Sequence, residues 1–132
     1  MLRALKYLWA GPNTLLGLGL TGIALLTGGR ARVVDGVVEA HGGWISRRLE
    51  RGAWFVGSIS AITFGHVVLG VTAGALDATR VHERVHVRQY ERWGPAFLPA
   101  YVLCGIMLWF RGGDPYRSNP FEIEAYATES QH

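Results

Sequence analysis

Residues 82–86 read His82-Glu83-Arg84-Val85-His86. Positions four apart lie on one helical face, so a helix here lets both imidazoles aim a ring nitrogen at a single point. Two neutral imidazoles about 2.0–2.1 Å from a metal make half of a standard zinc site. Glu83 is displaced by about 100° around the axis, where its carboxylate reaches a water on the metal. Zinc lowers the pKa of such a water to about 7, and the carboxylate takes its proton as the water attacks a carbonyl. Spacing and residue types together describe metal-assisted hydrolysis. The competing reading packs both histidines against apolar helices, or pairs an exposed His82 with Glu83 or Asp77.

A catalytic zinc needs a third protein donor and one open position. After His86 the candidates are Glu91, Asp114, Glu122, Glu124, Glu129 and His132. Asn119-Pro120 starts a last helix, with Asn as cap and Pro at the first helical position. Glu122 and Glu124 then stand about 200° apart around its axis, so only one faces the metal. Glu122 shares its face with Ala125 and Tyr126, and the small Ala lets this helix come close. A capping box joining Glu122 to Asn119 would leave Glu124 as the ligand instead.

The elements that must position these residues follow from local patterns. Asp77 or Thr79 can cap a helix over 79–93, which Gly94-Pro95 stops. Asp35-Gly36 between two valine pairs is a strong hairpin signal, because both turn positions require positive φ; it predicts strands over 31–34 and 37–41. Gly42-Gly43 breaks that pattern, and 45–51 reads as a short polar connection. Residues 59–64 and 66–69 read as strands bent at Gly65, and Val56 and Ser58 extend the argument against a membrane helix over 52–76. Residues 95–110 are apolar on every side and predict a helix buried in the core or set into lipid. Arg3 and Lys6 precede an apolar stretch that Pro12 and Asn13 shorten below a simple span, so 1–29 reads as an uncleaved hydrophobic anchor or a core helix.

The motif helices resemble the zincin metallopeptidases of the gluzincin type. His82-Glu83-x-x-His86 followed by Glu122-x-x-Ala125 is similar to their two signatures, in minimal domains and in membrane enzymes that process prenylated or misfolded proteins. The resemblance implies that His82, His86 and Glu122 bind Zn2+, that Glu83 is the general base, and that a sheet edge over 59–69 binds substrate backbone by strand addition. It departs at Tyr126, where the family has an aspartate that orients a ligand histidine. A phenol supplies no carboxylate charge, which puts catalytic rate in question more than zinc binding.

Composition narrows the alternatives. The 132 residues are 49% hydrophobic with net charge +3, and 7–29, 52–76 and 93–110 contain no Asp, Glu, Lys or Arg. Those three runs are half the chain, which excludes a disordered or acidic-tail protein. The arginines form no run and no RNA-binding aromatic signature accompanies them, so no nucleic-acid partner is expected. Cys104 stands alone in an apolar run, which excludes a disulfide framework and a cysteine zinc site; it reads as a small buried hydrophobe. Arg84, Arg88 and Arg92 read as one solvated or headgroup-facing side. Tyr90 and Trp93 line a cleft or, by the plainer reading, pack under 95–110. His66 is read as a strand histidine that could also assist the site.

The reading is an α+β fold: a short antiparallel sheet, the motif helix, apolar helices, and two parts, a hydrophobic helix at 1–29 and a zincin-like metal-binding domain at 30–132. The expected function is a zinc-dependent metallopeptidase acting on peptide or protein substrate, membrane-associated. Arginines after residue 29 outnumber the basic residues before it, which favours the cytoplasmic side. The alternatives are a non-catalytic zinc-stabilised membrane or assembly protein, and a small membrane protein whose motif is coincidental.

Overall fold

The computed structural model describes residues 2–52 and 59–130. Val56, Ser58 and the candidate donor His132 lie outside the described residues. The order is α1 (Leu2–Trp9), α2 (Gly11–Leu26), β1 (Arg30–Val34), β2 (Val37–His41), α3 (Gly43–Arg51), β3 (Ala61–Phe64), β4 (Val67–Gly70), α4 (Ala73–Trp93), a 3-10 turn (Gly94–Ala96), α5 (Phe97–Phe110) and α6 (Pro120–Glu129).

The hairpin forms where Asp35-Gly36 places it. Asp35 has φ 51° and Gly36 φ 78°, and Val34 pairs with Val37 across the turn. A second tight hairpin joins β3 to β4, with Phe64 opposite Val67. The two expected strands form but are shorter or shifted: Ile59 and Ser60 precede β3, and His66 lies with Gly65 in the turn and not in a strand. The strand order is β1-β2-β4-β3, and β2 runs parallel to β4. The expected all-antiparallel sheet is therefore a mixed one. Parallel neighbours need a crossover of roughly a dozen residues or more, and α3 with β3 supplies it.

Helix α3 replaces the polar connection expected at 45–51. Ile45 and Leu49, four apart, are buried with Ala24, Ala40, Val67 and Leu69, while Arg47, Glu50 and Arg51 stay outside. Packing of that pair sustains a helix too short to persist alone. Opposite, Val37, Val68, Leu76 and Val87 pack α4 onto the second face of the sheet. The sheet is thus sandwiched between α2 with α3 and α4. Helix α2 lies so close to β4 that a Cβ on Gly17 would stand 2.6 Å from that of Val67.

Helix α4 begins earlier than the sequence suggested. The Thr72 side chain accepts from the Ala75 N–H and caps it, whereas Asp77 pairs with Arg32 and Arg80. Gly94 ends it as expected. Helix α5 is not a core helix: Val102, Leu103, Ile106, Met107, Trp109 and Phe110 are exposed, and Cys104 is only half-buried. At its root Phe97 packs with Tyr90, Ala10 and Phe121. The helical stretch Ala73–Phe110 includes an 18-residue window of mean hydropathy 1.5, of which 11% is buried.

Candidate metal centre

Helices α4 and α6 bring His82, His86 and Glu122 together. One potential ligand atom from each lies within 4.8 Å of the others. The His82 Nε2 is 2.9 Å and the His86 Nε2 3.1 Å from the same Glu122 oxygen, Oε1. In a tetrahedral zinc site with bonds of about 2.0–2.1 Å, neighbouring donors stand roughly 3.3 Å apart. The observed spacings differ from this by a few tenths of an ångström. All three residues are buried, as is Glu83.

Local structure explains the convergence. His82 and His86 lie on one face of α4, stacked edge to face with ring centres 5.0 Å apart. Asn119 caps α6 by accepting from the Phe121 N–H, and its own amide donates to the Tyr101 carbonyl, which ties the start of α6 to α5. Glu122 sits in the first turn beyond that cap, and Ala125, fully buried, permits close approach to α4. Glu122 points to the histidines and does not return to Asn119.

The second nitrogen of each imidazole is also held. His86 Nδ1 lies 2.8 Å from Gln89 Oε1. The Gln89 amide nitrogen donates to the Phe121 carbonyl and to Glu124, so its oxygen is the acceptor and Nδ1 of His86 is the donor. That arrangement directs the lone pair of neutral His86 through Nε2 toward the metal position. His82 Nδ1 lies 3.1 Å from Glu129 Oε2. The remaining Glu122 oxygen accepts from the Tyr101 hydroxyl at 2.6 Å. Two imidazole nitrogens and one carboxylate oxygen, each oriented from behind, suit zinc.

Electrostatics follow from burial and proximity. Burial alone would raise the Glu122 carboxyl, but hydrogen bonds from His82 and His86 outweigh it and hold the pKa at about 2. Burial disfavours charged His86, yet the Glu122 hydrogen bond and the charges of Glu83 and Glu122 push it up to about 9. His82 is raised by the same partners against its burial. For Glu83 burial dominates and raises the carboxyl, with the histidines and a 2.6 Å hydrogen bond from the Thr63 hydroxyl opposing. Tyr90 donates to the Thr63 carbonyl and so fixes β3 against α4.

The other candidate donors are used elsewhere. Glu124 binds Gln89 and Arg92, Glu91 binds His66, and Asp114 accepts from the backbone of Tyr116 and Arg117. His66 is buried under the Tyr7 ring and is not part of the triad. Arg84 is not solvated as expected: it donates to Val34 and to buried Glu39, which Arg80 also grips. The Tyr126 ring packs against His82 in a T-shaped contact, centres 4.4 Å apart, and its hydroxyl meets that of Tyr116. Sequence reasoning missed Gln89, Tyr101 and Thr63; only Gln89 left a trace, one turn beyond His86. A cavity of about 440 Å³ lined by Lys6, Arg88, Arg92, Glu91 and Glu124 contains none of the four motif residues.

No family model, curated protein or solved structure matches the chain.

Proposed function

We propose that the protein is a zinc-dependent metallopeptidase that works at a membrane, with His82, His86 and Glu122 as metal ligands and Glu83 as general base. The observation that carries this reading is the convergence of both Nε2 atoms on one Glu122 oxygen, with Glu83 beside them on the same helix. A zinc ion bound there would act as a Lewis acid toward a peptide carbonyl and a water. Glu83 is suited to accept the proton of an attacking water: its Oε2 is held by Thr63, and burial raises its proton affinity. Among the described strands β3 is an outer one, and it carries Thr63, so an extended substrate added along that side would lie next to Glu83. Helices α2 and α5 support a membrane setting through their exposed leucines and aromatics. At 14 residues α5 is about 21 Å long, short of the hydrocarbon thickness, which favours insertion from one side over a crossing.

Metal content by elemental analysis, with hydrolysis of a peptide library in detergent or vesicles, tests the reading. Wild type should hold one zinc per chain and His86→Ala should lose it. Glu83→Gln should keep the zinc and lose hydrolysis; unchanged hydrolysis would sink the mechanism. The near-complete burial of the triad and Glu83 favours a second reading, a zinc-stabilised membrane or assembly protein without catalysis. In that case zinc binds, no peptide is cleaved, and Glu83→Gln changes neither property.

A further inference from the structure

Glu129 occupies a place that helix electrostatics disfavours. It is the final residue of α6, where the macrodipole is negative, and the last turn of α6 holds no basic residue. With no basic residue in that turn to offset it, the unfavourable choice points to a longer-range partner. That partner is His82, whose Nδ1 lies 3.1 Å from Glu129 Oε2, 47 positions away in the chain. On the same helix Tyr126, one turn earlier, meets His82 in a T-shaped ring contact, which supplies no carboxylate.

We propose that Glu129 is the positioning residue for His82, accepting its Nδ1 proton so that Nε2 faces the metal. The inference rests on the metal-centre reading. It makes the two ligand histidines unequal. His86 is held by an amide that is itself locked by Phe121 and Glu124, whereas His82 is held by a carboxylate with 41% of its side chain exposed, at the end of the last helix. A carboxylate behind an imidazole raises its basicity as well as fixing its orientation, and removing such an acceptor typically costs about 10–100-fold in metal affinity.

The experiment measures zinc dissociation constants of the full chain by competition with a chromogenic chelator, alongside thermal denaturation after chelation. Glu129→Ala should weaken zinc about 10-fold or more, and Glu129→Gln, which keeps an acceptor but not its charge, should fall between Ala and wild type. Thr128→Ala, at the same end of α6 but away from His82, should bind zinc like wild type. Chelated Glu129→Ala should melt with chelated wild type, since the role concerns the ligand and not the fold. Unchanged zinc affinity in Glu129→Ala overturns the inference while leaving the metal centre standing. So does an affinity loss of the same size in Ala and Gln, or one accompanied by a matching drop in melting temperature. A wild type that binds no zinc overturns both.

Discussion

In protein stripped by a chelator, stability should fall as pH rises from 6.5 to about 9, and Glu122→Gln should remove that fall. His86 has a folded pKa of about 9 against 6.5 as its ordinary value, because Glu122 and Glu83 outweigh the cost of burying its charge. A folded value above the unfolded one means that the folded chain holds the proton more tightly. The contribution is therefore complete below pH 6.5 and vanishes as pH passes through about 9. Holding the proton to about pH 9 instead of 6.5, at roughly 1.36 kcal/mol for each tenfold in proton affinity, amounts to about 3 kcal/mol. Glu122 reports the same contact from the acid side: lowered from 4.5 to about 2, its contribution is present above pH 4.5 and lost as pH falls through about 2. The two describe one interaction and are not added. Urea denaturation at about pH 6 and pH 9.5 measures the difference, and comparing wild type with the variant cancels the titrating groups that do not touch Glu122; His82, raised by the same carboxylate, adds to the difference in the same direction. Zinc should reverse the trend, because protons compete with the metal for neutral imidazoles and bound zinc stabilises more as pH rises. Equal stability of the chelated wild type at both pH values would refute the reasoning, and so would an undiminished alkaline loss in Glu122→Gln.

Two further outcomes probe the supports of the site. Gln89→Leu removes the acceptor behind His86 and should raise the zinc dissociation constant about 10–100-fold; an unchanged constant would contradict the tautomer argument. Gly17→Ala forces a methyl against Val67 and the Phe64 carbonyl and should destabilise by about 1–3 kcal/mol, read as a lower urea midpoint. An unchanged midpoint would show that α2 can shift away from β4.

What the chain discloses locally and what it withholds divide along physical lines. The Asp35-Gly36 turn, the Asn119-Pro120 helix start and the Gly94 stop depend on φ preferences and caps within a few residues, and all three stand where they are expected. The shared face of His82 and His86 follows from helical period alone. The parallel pairing of β2 with β4 depends on residues far apart in sequence, and no local pattern encodes it. Helix α3 rests on two apolar anchors in nine residues, too few to establish a period. The opening turns of α4 carry no local signal, because Ala73–Leu76 belongs to an uncharged run rich in β-branched neighbours and the cap, Thr72, is a residue type equally at home in a strand. Tyr101 and Thr63 reach the site from other elements, through contacts that only tertiary folding creates.

Helix α4 is gripped by buried carboxylates on opposite sides: Glu39 of β2 holds Arg80 and Arg84, and Glu122 of α6 holds His82 and His86. The two gripped pairs are offset by two residues, about 200° around the axis. Apolar packing tolerates small slides and turns, but a step of one residue would swing both pairs by about 100° and move them about 1.5 Å, breaking both grips at once. Opposed polar anchors therefore act as a detent that sets the rotation and axial position of the helix. A metal centre needs its ligands placed to within about 0.5 Å, and the arginine side of α4, which touches no ligand, holds the shaft on which that tolerance depends.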